Sequence, residues 1–475
     1  MMAGRTARPP TRDAVFGLAV FAVTLGLLLV RFLVPRPIGV SNNGDGARVL
    51  CGAGIPWKGG PESYVHLFYG APAGACQQTY VLSQVWLTQI ARWLGEVAGL
   101  QSTLSLVVLG LLGSVIAAAA VTLIVLGLPY SRRVRLAAAA ALLLVVADSA
   151  FFGYFASVLG EGAAFLGILL AAGGLLLTAR PGWWGYAGLA VTLVGGFVAV
   201  NAKVQTLMIL PLLALAVLLV RPATRRGFAR WLPALLVVVA LAGTTWYAQQ
   251  TIEPPKSPFG EVSALPGDDS REINMFNTIF LTIVDGKHDT QADLAELGLP
   301  ASFAQYAGNG WWHAHPATLD PLYLRYRTQI TRGNVISYFA NHPGRTLGVL
   351  DRAAGDLLTA RPDYLGSFDQ SAGFAPRAQE YRVPVLSSVT KLLAPLGLFA
   401  LAPLWLLIGW RAWRSRREAL GVLLAFLLAV GAGQFVLAAL GDGLENIKHQ
   451  SVALYCTLLA LALAGVVWNA KPTEP

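Results

Sequence analysis

The chain has 475 residues, of which 55% are hydrophobic and only 13% are charged, and its formal net charge is +10. Soluble domains carry roughly 25% charged residues, so this chain has more apolar surface than one aqueous core can bury. The positive charge lies in short arginine clusters between apolar runs and not in a basic domain, which excludes nucleic acid as a partner. The three cysteines form no CxxC pair, so a structural zinc site is not expected.

The apolar runs predict about ten transmembrane helices, because a helix needs about 20 apolar residues to cross a bilayer. In chain order they are 15–34, 104–128, two within 136–178, two within 184–220, 231–248, 385–410, 419–440 and 451–467. With both termini in the cytoplasm, every short arginine cluster (5–12, 132–135, 180, 221–230 and 411–417) lies on the inner side, as the positive-inside rule requires. We therefore predict an all-α polytopic membrane protein.

Three parts are predicted along the chain. Residues 1–248 form an N-terminal transmembrane module with an outer loop at 35–100, and residues 385–475 form a C-terminal one. Between them, the hydrophilic residues 249–384 predict a small, mainly helical extracytoplasmic domain. The outer loop ends in an amphipathic segment, 84–100, in which Trp86, Ile90 and Trp93 share one helical face suited to the membrane interface.

Asp45 is the first candidate catalytic residue. It follows the first predicted span, between Gly44 and Gly46, and these glycines allow a tight turn and close approach of a ligand. A carboxylate at the outer end of a helix bundle is suited to act as a general base on an acceptor hydroxyl. Alternatively, the Asn-Gly-Asp segment only forms a turn.

Asp148 and Glu161 are two further candidates within or beside predicted spans. Ionisable groups there are costly, so they usually face a cavity or a partner. With Tyr154 between them, they are predicted to line one outer cavity that shapes the sugar site or holds a divalent metal ion. Alternatively, Glu161 only favours the start of a helix, where negative charge is stabilising.

Lys203, Lys448 and His449 are candidate contacts for a lipid-linked phosphate. Lys203 lies at the outer reversal between two short spans, and the other two residues lie where the last span begins. Alternatively, Lys203 extends to lipid headgroups, and the acidic residues Asp442 and Glu445 neutralise the other pair in a purely structural cluster.

Cys51 and Cys76 both lie in the first outer loop. Disulfides persist in the oxidising setting outside the cell, so we predict a bridge between them.

The candidate site residues and the predicted topology together resemble those of the GT-C superfamily of polytopic membrane glycosyltransferases. In that superfamily an acidic residue of the first outer loop is the expected base, which Asp45 matches, and the donor is a lipid phosphate sugar. Similar segments occur in bacterial membrane proteins of cell-surface polysaccharide biosynthesis: Asp148 to Glu161, Asn274 to Phe280 with Leu294 to Pro300, and Gly441 to His449. This chain has Gly44-Asp45-Gly46 where some first loops of the superfamily carry a paired acidic motif.

The resemblance implies a glycosyltransferase, of hexosyl or pentosyl type, in the bacterial plasma membrane. It would transfer a sugar from a polyprenyl-phosphate donor to an extracytoplasmic glycan or lipid-linked acceptor, with membrane lipids as its other partners. The sequence contains no Walker A, GxSxG or HExxH motif, which disfavours a nucleotide-driven reaction inside the cell. The alternative is a transporter or flippase for a lipid-linked glycan that uses the same outer cavity.

Overall fold

The computed structural model describes residues 10–55, 61–70, 82–100, 103–220, 231–250, 270–441 and 443–473, so Cys76, Asp442 and the arginine cluster at 221–230 lie outside the described residues. The helices of the first half are α1 (Pro10–Leu33), α2 (Gly46–Gly52), α3 (Ser83–Val97), α4 (Leu106–Gly127), α5 (Arg132–Ala147), α6 (Glu161–Thr178), α7 (Trp183–Val200), α8 (Ile209–Val220) and α9 (Leu232–Gln250). Those of the second half are α10 (Ser270–Asn277), α11 (Thr290–Glu296), α12 (Tyr323–Tyr326), α13 (Arg332–Asn341), α14 (Pro343–Thr359), α15 (Val385–Leu393), α16 (Leu398–Arg414), α17 (Ala419–Gly441), α18 (Asn446–His449) and α19 (Ser451–Val466). Short 3₁₀ turns include Phe152–Ala156, Val204–Met208 and Ala394–Leu396, and a π-helical turn spans Thr278–Ile283.

Among the described residues, six helical segments are long and apolar enough to cross a membrane: Asp13–Leu33, Leu106–Gly127, Glu161–Thr178, Trp183–Val200, Trp231–Gln250 and Ala419–Gly441. Shorter apolar helices lie at Val204–Val220, Val385–Leu396 and Ser451–Val466. The predicted all-α polytopic fold class is confirmed, whereas the count of ten spans stays a prediction. Two predicted spans are interrupted or short. Helix α5 has only 16 residues, and the predicted span 385–410 is broken before Gly397, which has a φ of +49°.

The arginine-rich ends of the helices meet at one end of the molecule. Asp13, at the start of α1, lies 3.9 Å from Arg135 and 3.8 Å from Arg180. Near the end of the described chain, the Thr473 amide donates a 2.8 Å hydrogen bond to the carbonyl of Pro129. We call this the arginine-rich end, and its composition is what the predicted topology requires of the cytoplasmic side.

Glycines bring α6 and α7 into backbone contact. A Cβ atom on Gly174 would lie 2.4 Å from the hydroxyl of Thr192, and one on Gly188 would lie 2.4 Å from the amide of Thr178. Small residues permit this close approach of membrane helices. Nearly all of α6 is buried by its neighbours, so its N-terminal residue, Glu161, has a fixed position.

The hydrophilic region contains a hydrophobic core of its own. Its buried residues run from Met275 to Val349, and they include Phe276 and Phe280, whose ring centroids are 4.6 Å apart. By contrast, Leu357 belongs to the core of the transmembrane helices. The second half of α14 is therefore part of the helix bundle, and the domain limits predicted from the sequence remain a proposal.

A strand pair joins the middle of the predicted outer loop to the start of α4. Strand β1 (Phe68–Gly70) pairs antiparallel with β2 (Thr103–Ser105), immediately before α4. Cys51 is disulfide-bonded, its predicted partner Cys76 lies outside the described residues, and Cys456 is free and buried. The amphipathic segment forms α3, whose Trp86, Ile90 and Trp93 are exposed. Its position in the membrane interface stays a prediction.

Candidate active site

A tight turn presents Asp45. The side-chain oxygen of the fully buried Asn42 accepts hydrogen bonds from the amides of Gly44 (2.9 Å) and Gly46 (2.8 Å). Gly44 has a φ of +106°, which favours glycine, and a Cβ atom on Gly46 would lie only 2.2 Å from Val158. Both glycines of the motif are therefore required by the turn. Asp45 then precedes α2 with its side chain 47% exposed.

The carboxylate of Asp45 pairs with Lys448, 403 residues later in the chain. The ammonium Nζ of Lys448 lies 2.6 Å from Oδ2 of Asp45 and also donates to Oε2 of Glu445, and the Lys448 side chain has no exposed surface. Glu445 has a φ of +56°, and its two carboxylate oxygens accept from the side-chain Nδ2 of Asn43 at 3.0 and 2.9 Å. The loops before α2 and before α18 are thus joined in one ionic network.

This network keeps all three charged groups ionised. Partial burial of the half-exposed Asp45 raises its pKa, but the charge of Lys448 and, to a smaller extent, that of Lys203 lower it by more, so the pKa lies far below its ordinary value. Burial likewise raises the pKa of Glu445, yet the hydrogen bond with His449 and the charge of Lys448 bring it down to about 2. Burial lowers the pKa of Lys448, and the two carboxylates raise it well above its usual range. The three groups carry a net charge of −1 at neutral pH.

Glu161 and Lys203 form a second ion pair, with 2.5 Å between Oε1 and Nζ. Glu161 opens α6 with its side chain 3% exposed, whereas Lys203 follows α7 and is 18% exposed. The lack of a side chain on Gly160 makes room for Lys203, whose Cγ would lie 2.8 Å from a Cβ atom there. The side chain of Gln205 donates to the carbonyl of His449 at 3.2 Å and so connects this reversal to α18.

Asp148 has different partners. Its buried carboxylate accepts from the amides of Leu386 (2.8 Å) and Ser387 (3.1 Å) through Oδ2, and from the amide of Ala150 (2.9 Å) through Oδ1. These bonds cap the first turn of α15. Within the described parts of the chain, no hydrogen bond joins Asp148 to Asp45 or Glu161, so the structure gives it a capping position that its sequence neighbourhood does not indicate.

Two other side chains complete the surroundings. The Nε2 of His449 lies 3.8 Å from Glu445, and its side chain is 18% exposed. The hydroxyl of Tyr154 is buried and has no hydrogen-bond partner among the described residues. Those residues contain no group of three or more His, Cys, Asp or Glu side chains that could hold a metal ion. The role of Asn43 in holding Glu445 was not predicted, because nothing in the sequence links the two loops.

Comparison with known proteins gives one family. Residues 9–467 match the family described as the YfdI N-terminal transmembrane domain. No curated protein matches the chain. Among solved structures, the oligosaccharyltransferase of Archaeoglobus fulgidus, crystallised with a tethered acceptor peptide, aligns with 95% of this chain at a TM-score of 0.38 and 14% identity. The chain spans 50% of the length of that protein, and a similarity this distant supports no argument about activity. The chain belongs to the family of the YfdI N-terminal transmembrane domain, a GT-C-like family, which confirms the resemblance seen in its sequence.

Proposed function

We propose that this protein is a membrane glycosyltransferase that transfers a sugar from a polyprenyl-phosphate donor to an extracytoplasmic glycan or lipid-linked acceptor in the bacterial plasma membrane. One observation supports it most directly. The half-exposed, ionised carboxylate of Asp45 is held by a buried ammonium group at the end of the bundle opposite the arginine-rich end, with the partly exposed Lys203 nearby.

In the proposed reaction, Asp45 accepts a hydrogen bond from the acceptor hydroxyl. The hydroxyl oxygen bonds to the anomeric carbon of the donor sugar while the bond from that carbon to the phosphate oxygen breaks. The electron pair leaves with the polyprenyl phosphate, and the hydroxyl proton passes to Asp45. A single displacement of this kind inverts the anomeric configuration. The leaving group departs as a phosphate, so cations stabilise it better than a proton donor would.

The charges around Asp45 also suggest how the base becomes active. A carboxylate with a strongly lowered pKa is a weak base, and the ideal base has a pKa near the working pH. A donor phosphate near Lys203 would partly neutralise the cations that lower the pKa of Asp45. Donor binding is therefore proposed to raise the pKa of Asp45, so that this residue is an effective base only in the complex with the donor.

The phosphate contacts are assigned by exposure. Lys203 and His449 each keep 18% of their side chain exposed, whereas Lys448 has none. Lys448 can reach a phosphate only if the carboxylate of Asp45 moves aside, so we assign it mainly to holding Asp45. Glu161 positions Lys203 through their ion pair. Asp148 would shape the outer cavity indirectly, through the start of α15.

The direct test is incubation of the purified protein with a panel of polyprenyl-phosphate sugars and a glycan acceptor, measuring release of free polyprenyl phosphate. The proposal expects release with at least one donor, and loss of release in Asp45→Asn. Movement of a labelled lipid-linked glycan between leaflets without any phosphate release would contradict it and support a transporter instead.

A further inference from the structure

A polar pocket of about 390 Å³ lies at the arginine-rich end, far from Asp45. It forms where the end of α16 and the start of α17 meet the segment after α19 and the connection between α4 and α5. Its lining includes two arginines, one glutamate and three aromatic residues: Arg411, Arg414, Glu418, Tyr130, Trp410 and Trp468. The proposed sugar transfer uses none of these residues.

Two buried atoms in this lining, one hydrogen-bond donor and one acceptor, have no hydrogen-bond partner within the described parts of the chain. They are Nε of Arg411 and Oε2 of Glu418. The rest of the Arg411 guanidinium is held in place, because it donates to the hydroxyl of Ser415 and, at 3.1 Å, to the carbonyl of Val467. Leaving buried polar atoms unpaired is unfavourable. Because the same lining carries two guanidinium groups and one carboxylate, its charges match a ligand that has both an anionic and a cationic group.

The aromatic side chains give the pocket its position and shape. The ring centroids of Trp410 and Trp468 are 5.0 Å apart with the planes inclined by 37°, and the guanidinium of Arg414 lies 4.9 Å from the ring centroid of Trp410. Tryptophan and arginine together are typical of the boundary between bilayer and water, and arginine favours the cytoplasmic side. A lipid headgroup of the inner leaflet is therefore within reach of the pocket.

We propose that this pocket binds the phosphoethanolamine headgroup of a phospholipid. Arg411 and Arg414 take the phosphate, because guanidinium groups match phosphate geometry. Glu418 takes the ammonium, which donates hydrogen bonds to the carboxylate. A glycerol headgroup has no cation for Glu418, and a choline headgroup has a cation without N–H donors. The two charges of the pocket thus select phosphatidylethanolamine over both.

The test uses the purified full-length chain in neutral detergent, with bound lipid counted by native mass spectrometry. Dioleoyl phosphatidylethanolamine, phosphatidylglycerol and phosphatidylcholine are compared at equal concentrations. We expect the ethanolamine lipid to bind about tenfold more tightly than the choline lipid, which is the order of one hydrogen bond to a charged group. Glu418→Gln should remove this preference, and Arg414→Gln should weaken all three lipids. The matched control is Arg416→Gln, since Arg416 does not line the pocket.

Several results would overturn the proposal. Equal binding of the three lipids by the wild type, or an unchanged ethanolamine preference in Glu418→Gln, contradicts the assignment of Glu418. If a variant does not fold, the relative binding of the three lipids to the wild-type protein is sufficient to test the proposal. Competition by glycerophosphoethanolamine would support the phosphoethanolamine assignment and show that the headgroup suffices without its acyl chains. Equal competition by inorganic phosphate would show a simple anion site and contradict it.

Discussion

Replacing Asp45 by asparagine separates catalysis from folding in the proposed reaction. The substitution keeps the shape of the side chain but removes the proton acceptor, so turnover should fall by 10²–10⁴-fold, or about 3–5 kcal/mol of barrier. Stability should change little. Asp45 is 47% exposed, the amide oxygen of asparagine can still accept from Lys448, and Lys448 keeps its pair with Glu445. We expect a loss of about 1–2 kcal/mol in the free energy of unfolding.

The contrasting variant is Lys448→Met. It leaves the carboxylates of Asp45 and Glu445 side by side without their shared cation. Because these carboxylates are 47% and 26% exposed, we expect a larger loss of stability than for Asp45→Asn but less than the roughly 3–5 kcal/mol of a fully buried pair. Turnover is measured as released polyprenyl phosphate, and folding by thermal unfolding in detergent. Near wild-type turnover in a folded Asp45→Asn protein would refute the base assignment and make Glu161 the next candidate. Because the pKa of Asp45 is low in the free protein, the wild-type kcat/KM should not fall between about pH 8 and 5 through its protonation.

Three further predictions concern the surrounding structure. Lys203→Met should weaken donor binding and also cost about 3–5 kcal/mol of stability, because Glu161 is 3% exposed and would lose its partner. The double variant with Glu161→Gln should regain stability but not donor binding. A Lys203→Met protein as stable as the wild type would contradict this. Asp148→Ala should lose about 1–2 kcal/mol because the amides of Leu386 and Ser387 lose their acceptor, with donor binding unchanged; loss of binding without loss of stability would instead support a direct role. Cysteines introduced near Asp289 should react with an impermeant reagent in intact cells and those near Arg414 should not, and labelling at the second position would overturn the topology.

The fold class follows from patterns that act locally along the chain. Apolar runs and arginine clusters predict where helices start and end, and the chain reversal after α7 falls at Asn201-Ala202-Lys203, as expected. The short α5 was not predicted. Its apolar run continues beyond Ala147, but Asp148 ends the helix and directs its carboxylate to the amides of α15. A cap of this kind has no local signature, because its two halves are 238 residues apart.

The residues of the candidate site were proposed from the sequence, whereas their contacts were not. The topology predicts that Asp45, Glu161, Lys203 and Lys448 lie on the outer side, and the structure places them in two ion pairs. Which carboxylate meets which ammonium depends on how α6, α7 and the last outer loop pack, and no residue spacing encodes that. The burial of Lys448 also depends on this packing. Because Lys448 is buried, the role proposed for it changes from binding phosphate to holding the base.

The burial of α6 has a consequence for how the protein is assembled. This helix is apolar enough to enter a bilayer by itself, with a mean hydropathy of 1.8, yet 94% of it is covered by other helices in the finished structure. Most of its leucines are therefore covered once the protein has assembled, and its glycines matter when α7 closes against it. Substitutions at Gly174 or Gly188 should leave membrane integration intact and trap the chain in the bilayer with unassembled helices, a defect for the quality-control proteases of the membrane to recognise.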